Sequence, residues 1–382
     1  MRFAIAGAGF SGAVVGRELA NAGHGVTIYE ERDHIGGNCF TERDESSGVL
    51  LHRFGPHIFH TDNERVWDYI CQFGEMVPYN HRVRTTVGGK VYLLPINLLT
   101  INQLFDTALG PDEARQLIAD KADDSIDEPA NFEEQALKFV GRELYEAFFE
   151  GYTRKQWGLD PTELPASILK RLPVRFNYED SYFNHPHQAM PRDGYTEIIR
   201  GILDHPGIDV RLSTSLIPES AVVDHDHVIW TGPLDGWFGH RLGRLGYRTL
   251  DFERIDADGD YLGCAVMNFG DYDVPHTRIS EHKHFAPWEE HDKTVAFREY
   301  SRQCEPEDTP YYPIRLVNDK DLLQQYLELA RAERDVTFVG RLGTYRYLDM
   351  DVTIGEALEA ADGILGALGA GQPIPAFLID PT

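Results

Sequence analysis

Near the N-terminus Gly7, Gly9 and Gly12 stand in the spacing G-x-G-x-x-G, and an acid, Glu30, follows 18 residues after the last of them. These residue types at that spacing suit holding the pyrophosphate and ribose of a dinucleotide. Gly7 permits a tight turn, Gly9 lets the backbone approach a phosphate, and Gly12 lets a helix pack closely on a strand. Glu30 is placed to accept hydrogen bonds from a ribose. The elements needed to position them are legible too. Phe3 and Ile5 mark a strand, and Val14, Val15, Leu19 and Ala20 mark a helix. Gly23 and Gly25 break it, and Val26–Tyr29 is a second strand. Strand, glycine turn, helix, strand and acid make a βαβ unit, with the helix N-terminus offering free N–H groups to the phosphates.

The next stretch, Glu30-Glu31-Arg32-Asp33-His34-Ile35-Gly36-Gly37-Asn38, resembles the extended fingerprint of FAD-binding proteins of the amine-oxidase-like superfamily. A Gly-Gly pair lets a second backbone segment reach the pyrophosphate, for which a plain NAD dehydrogenase has no need. FAD is therefore favoured over NAD.

Residues 50–60, LLHRFGPHIFH, carry His52, His57 and His60. Imidazoles three residues apart can share a helical face and a metal. Gly55-Pro56 breaks any helix there, and no carboxylate or thiolate completes a ligand set, so a polar lining beside a flavin ring is expected. The pairs His185/His187, His225/His227 and His282/His284 lack a third ligand and read as solvated surface.

Composition limits the alternatives. The chain has 382 residues, enough for two or three domains, with 42% hydrophobic and 11% aromatic residues. A formal charge of −26 argues against a nucleic-acid binder and against adhesion to anionic lipid. An anionic ligand would need its own local arginines. Cys39, Cys71, Cys264 and Cys304 are scattered without a CxxC, which fits reduced thiols. No apolar run approaches the roughly 20 residues of a membrane span. A cytoplasmic protein is expected.

Farther along, residues 82–94 alternate in polarity about Gly88-Gly89 and predict a β-hairpin. From Pro95 the pattern turns helical: Pro111-Asp112-Glu113 opens one helix, and Asn131-x-x-Glu134 caps another with Leu137, Val140, Leu144 and Phe148 on its apolar face. Residues 151–195 are punctuated by Gly158, Pro161, Pro165 and Pro173 and are rich in Arg, Tyr and Trp. They read as a surface loop or lid suited to a ligand carrying phosphate and a planar base. Strands are expected at Asp209–Leu212, His227–Trp230, Cys264–Phe269 and Thr294–Tyr300, and a helix over Asp321–Arg334. Thr353-x-x-Glu356 reads as a capping box that starts the last helix.

Several stretches together resemble the bacterial UDP-galactopyranose mutase family: GAGFSGAVVGRELA, FGPHIFHTDN, LPINLLTINQLF, GYTRKQWG, LPASILKRLPVRFNY, TRISEHKHFAPWE, PYYPIR and GRLGTYRYLDMDVTI. The resemblance runs along essentially the whole chain. It implies an α/β fold with three parts. A discontinuous Rossmann-like FAD-binding domain would comprise residues 1–75, 191–245 and 316–382. A helical domain would cover 98–165, and an antiparallel β-sheet domain 76–97, 166–190 with the mobile loop, and 246–315. It implies a homodimer, and UDP-galactose as substrate. By the same resemblance Arg171, Arg278 and His60 are catalytic. Phe148, Tyr152, Thr153, Trp157, Tyr182, Asn268, Tyr312 and Tyr347 join the two arginines around the substrate. Gly7, Gly9, Ser11, Gly12, Glu30, Glu31, Gly37 and Asn38 hold the nucleotide part of FAD. His57, Ile58, Arg341, Tyr347, Leu348, Asp349, Met350 and Thr353 surround the flavin. The implied reaction interconverts UDP-galactopyranose and UDP-galactofuranose, with N5 of reduced FAD as nucleophile at the anomeric carbon and no net redox change. The rival expectations are a flavin amine-oxidase-like oxidoreductase and a nucleotide-sugar sensor without catalysis.

Overall fold

In a computed structural model the strand Arg2–Ala6 lies at the centre of a five-stranded parallel sheet. The order is Ile208–Arg211, Gly25–Tyr29, Arg2–Ala6, His227–Trp230, Val336–Phe338. The model describes residues 1–171, 174–314 and 320–381, the side chains at 167, 170, 171, 219 and 222 excepted. Ile5 stands opposite both Ile28 and Ile229. All three are fully buried, as in a sheet covered on both faces. One face packs on the helices Phe10–Asn21, Tyr195–Leu203 and Met350–Ala370. The other packs on Trp237, Phe238 and the helix Lys320–Ala332. Chain start and chain end therefore share one core. Among the described residues no helix is long and apolar enough to cross a membrane.

A second sheet has seven strands, in the order Tyr312–Pro313, Tyr247–Asp258, Lys293–Gln303, Arg278–Glu281, Val266–Phe269, Val83–Val87, Lys90–Leu94. The hairpin about Gly88-Gly89 forms as its turn residues require, both glycines having positive φ. The sheet is not wholly antiparallel as expected: Val266–Phe269 runs parallel to Val83–Val87. No tight turn links these two strands, so nothing local forces them to oppose. Between them in sequence lie the helices Leu98–Phe105, Pro111–Lys121, Phe132–Val140, Arg142–Tyr145 and Gly151–Trp157, most of them around a core of their own that includes Ile101, Phe132 and Leu144. Asn131 caps its helix, accepting the Glu134 N–H at 2.9 Å.

Three local expectations need correction. The last helix starts at Met350 with Asp349 as N-cap, and Thr353 is one turn inside it, donating its hydroxyl to the Asp349 carbonyl at 2.9 Å. Glu356 cannot close a capping box because Arg346 holds its carboxylate. His227 and His282 are not solvated but 2% and 1% exposed. His227 Nε2 meets the Thr337 hydroxyl at 2.9 Å, and His282 Nδ1 accepts the His52 N–H at 3.0 Å. Finally, residues 151–195 are not all loop: His187–Pro191 forms the middle strand of a small sheet with Phe59–Thr61 and Met76–Pro78.

Candidate functional site

The N-terminal turn is shaped by what glycine alone permits. Gly7 has φ +95°, and a Cβ on Gly12 would sit 2.0 Å from the Gly7 carbonyl. The Gly36 N–H donates to the Ala8 carbonyl at 2.9 Å, which lays the Gly-Gly segment against the first turn. Glu30, 5% exposed, accepts the N–H groups of Ala8 at 2.8 Å and Arg32 at 3.0 Å. From the far end of the chain Gly340, φ +81°, comes so close that a Cβ there would stand 2.3 Å from Ser11 Oγ. These segments enclose a cavity of about 650 Å³, within the size range of small-molecule and cofactor sites. Gly7, Gly9, Ser11, Glu30, Glu31, Gly37, Asn38, His57, Arg341, Met350 and Thr353 line it.

A dinucleotide fits this donor set. Arg32 donates to Asn38 Oδ1 at 3.0 Å, lies over the Phe54 ring at 4.7 Å, and leaves Nη1 buried without a partner. A buried guanidinium N–H without an acceptor is costly, and a phosphate oxygen would satisfy it. Arg32 was visible in the fingerprint, but its contact was not. Arg244, Cys304, Glu305, Asp308 and Pro310 also line the cavity, and no sequence signal marked them. Arg244 arrives just before the strand Tyr247–Asp258, and the other four follow the long strand Lys293–Gln303.

The segment that carries His57 leads from the cavity to a second wall of polar residues. His57 Nδ1 lies 2.9 Å from the Gly55 carbonyl. Burial pushes its pKa down to about 4, with the Arg341 charge adding to the effect, so the ring is neutral at pH 7. Gly55, φ +88°, leaves room for Arg278, whose Nη2 would be 3.8 Å from a Cβ at that position. Arg278 donates from Nε to Glu299 at 2.8 Å. Burial disfavours its charge, but Glu299, Tyr312 and Tyr152 outweigh this and fix the cation. Asn268 is its direct cross-strand partner, with Oδ1 buried and unpartnered. Burial raises the pKa of Tyr152, Tyr182 and Tyr312, the last to about 12, so these phenols remain protonated donors. Tyr347 stacks on Tyr312 with ring centres 5.7 Å apart, and Arg341 lies over both rings.

Other expected residues are not among those lining the cavity. Phe148 is 8% exposed and edge-on to Tyr92 in the helical core. Trp157 packs against the same core, and Thr153 is buried on the helix that carries Tyr152. Ile58 packs on the main core. Leu348 is buried and offers its carbonyl to Arg341 at 2.5 Å. Gly12 serves packing, and Asp349 caps the last helix. His60 stacks on Phe183 at 3.7 Å, with Nδ1 2.8 Å from His185 Nδ1, and is not among the residues lining the cavity. His52 is buried against Tyr195 and Phe285, also outside the cavity. The Arg171 side chain lies outside the described residues.

A parallel nucleotide-binding sheet joined to a second, mixed sheet that carries a buried arginine near His57 defines a Rossmann-like dinucleotide-binding protein with a second polar cluster near its cavity. Comparison with known proteins narrows this class. The UDP-galactopyranose mutase family model matches residues 147–347, and that of the NAD(P)-binding Rossmann-like domain matches 5–73. A probable UDP-galactopyranose mutase of Klebsiella pneumoniae is 58% identical over 375 residues, 98% of this chain and 97% of the relative. A dTDP-fucopyranose mutase of Escherichia coli is 52% identical, covering 94% and 96%. The crystal structure of a reduced UDP-galactopyranose mutase superposes with TM-score 0.73 at 18% identity, covering 96% of this chain and 95% of that one. The chain belongs to the UDP-galactopyranose mutase family, a family of isomerases.

Proposed function

We propose that this chain interconverts UDP-galactopyranose and UDP-galactofuranose. The observation that carries the reading is Arg278, held charged by Glu299, beside Asn268 and next to Gly55 in the segment whose His57 lines the cavity together with Arg341. Contraction of a six-membered sugar ring requires C1 to be released from its phosphate and later returned to it. Reduced FAD, when bound, would supply through N5 the nucleophile that displaces UDP at C1, in covalent catalysis without net redox change.

The chain's own residues do the rest. Arg278 offsets the negative charge that the diphosphate gains as it leaves, and the fixed guanidinium needs no reorganisation to do so. Tyr182, Tyr312 and Tyr347 donate phenolic hydrogen bonds to the same oxygens. Tyr152 offers a face for the uracil, and Arg171, the last residue of the short helix Ala166–Arg171, is the second cation on the diphosphate. Asn38, Glu30 and Arg32 hold the nucleotide part of the cofactor. His57 and Arg341, neutral and charged respectively, border the flavin.

A second reading keeps the reaction and changes the sugar, because the 52%-identical relative is named for dTDP-fucopyranose. Purified protein reduced with dithionite, then given UDP-galactofuranose or dTDP-fucofuranose, separates these readings by chromatography of the products. Conversion of UDP-galactofuranose to the pyranose at the higher kcat/KM is expected. Preferred conversion of the dTDP-sugar would establish the second reading. Oxygen consumption by the protein without dithionite, with neither sugar rearranged in the reduced sample, would point to the oxidase alternative.

A further inference from the structure

We infer that Lys155 is a positioning residue that fixes the distance between the nucleoside-facing helix and the strands bearing the diphosphate clamp. The inference rests on the function proposed above. Lys155 lies on the helix Gly151–Trp157, three residues after Tyr152 and hence on nearly the same helical face. Among the described residues its ammonium pairs with no carboxylate. It donates to three backbone carbonyls, those of Phe269 at 2.6 Å, Asp271 at 2.8 Å and His276 at 3.1 Å. Those carbonyls belong to the turn that joins Val266–Phe269 to Arg278–Glu281. Phe269 directly follows Asn268, and His276 stands two residues before Arg278. A lysine head carries three N–H donors and no acceptor, so one side chain satisfies three convergent carbonyls. Arginine's planar fork would not converge in the same way.

The surrounding backbone is shaped to admit this strap. A Cβ on Gly151 would be 2.3 Å from the Gly270 carbonyl, and one on Gly270 would be 2.8 Å from a Val87 methyl. Helix and turn therefore touch at two glycines and are held by one cation. Burial lowers the Lys155 pKa to about 8, opposed by Asp271 and Asp273 on the turn. His276 of the same turn is held neutral at pH 7, its pKa lowered to about 4 by burial and then by the charges of Arg298 and Lys155. Arg298 is paired with Glu253 at 2.8 Å on the neighbouring strands, so neither titrates near pH 8. Arg154 on the same helix pairs with Glu150 and Asp160.

The test uses the flavin-loaded Lys155→Met protein, which keeps the apolar stem and removes the donors. KM for UDP-galactofuranose and Kd for UDP are expected to rise together at least tenfold, with kcat within threefold of wild type and flavin content unchanged. A lowered melting temperature with KM and Kd within twofold of wild type would reduce Lys155 to a purely structural contact and overturn the inference. Should the variant not fold, the wild-type protein decides. Its Kd for UDP should rise from pH 7 to 9.5 as the ammonium loses its proton, and a flat profile would overturn the inference. Wild-type protein that binds UDP in a Lys155-dependent way yet leaves the sugar unchanged would refute the proposed reaction and not this role.

Discussion

Glu299 is 2% exposed and accepts from Arg278 Nε, with the Arg278 Nη2 end next to Gly55. Thr277 donates its hydroxyl to the other carboxylate oxygen at 3.2 Å, which fixes the acid in turn. Arg278→Ala, and equally Arg171→Ala in the proposed clamp, should lower turnover by several orders of magnitude. A variant within about tenfold of wild type would contradict the assignment, since a decade corresponds to only about 1.4 kcal/mol. Glu299→Gln keeps the shape and one hydrogen bond but removes the charge that anchors the arginine. We expect kcat/KM to fall roughly ten- to a hundredfold with flavin content unchanged, because buried charge-assisted hydrogen bonds contribute about 1.5–3 kcal/mol. Equal activity would mean that Arg278 is positioned by something else.

At the level of elements, the two glycines of the first turn have separable tasks. Gly12 packs the helix Phe10–Asn21 so tightly that a methyl group would overlap the Gly7 carbonyl, whereas a Cβ on Gly9 would stand 3.7 Å from Gly37 Cα, an ordinary contact. Gly12→Ala should therefore damage the βαβ unit itself, giving little soluble protein and no yellow colour. Gly9→Ala should fold and melt near the wild-type apoprotein, yet retain much less flavin, because its methyl projects into the space between the two glycine segments. Flavin absorbance per protein, measured beside apoprotein melting, distinguishes the two outcomes. Full flavin retention in Gly9→Ala would show that no pyrophosphate approaches at that point.

For the whole molecule, buried imidazoles set the acid limit of stability. Burial lowers the pKa of His81 and His282 to about 3 and of His227 to about 4, and that of His52 well below its ordinary 6.5. An unfolded chain takes up these protons near pH 6.5, while in the folded chain His81, His282 and His227 do not until pH 3 to 4 and His52 only well below 6.5. Stability is thus complete above pH 6.5 and declines as pH falls through the window between, by up to about 1.4 kcal/mol per pH unit for each histidine. The melting temperature should fall continuously from pH 6.5 to 4.5. A constant value over that range would show that these rings are hydrated or charged in the native state.

The sequence by itself determined whatever depends on near neighbours. The G-x-G-x-x-G turn, the Gly88-Gly89 hairpin and the Asn131 cap are each specified within a few residues by backbone freedom or a side chain reaching its own helix. The resemblance extended this to a family, because motifs preserve chemistry along the chain. Tertiary structure alone decided which partner each polar group takes. Thr353 and Glu356 have the spacing of a cap, yet Arg346 claims the acid. His227 and His282 look like surface residues until sheet pairing buries them. Arg32 is plain in the sequence, but its unpaired Nη1 beside the cavity emerges only when Asn38 and the Phe54 ring take up the rest of the guanidinium. Desolvation and pairing join residues from six to 230 positions apart, and no local pattern encodes which of them meet.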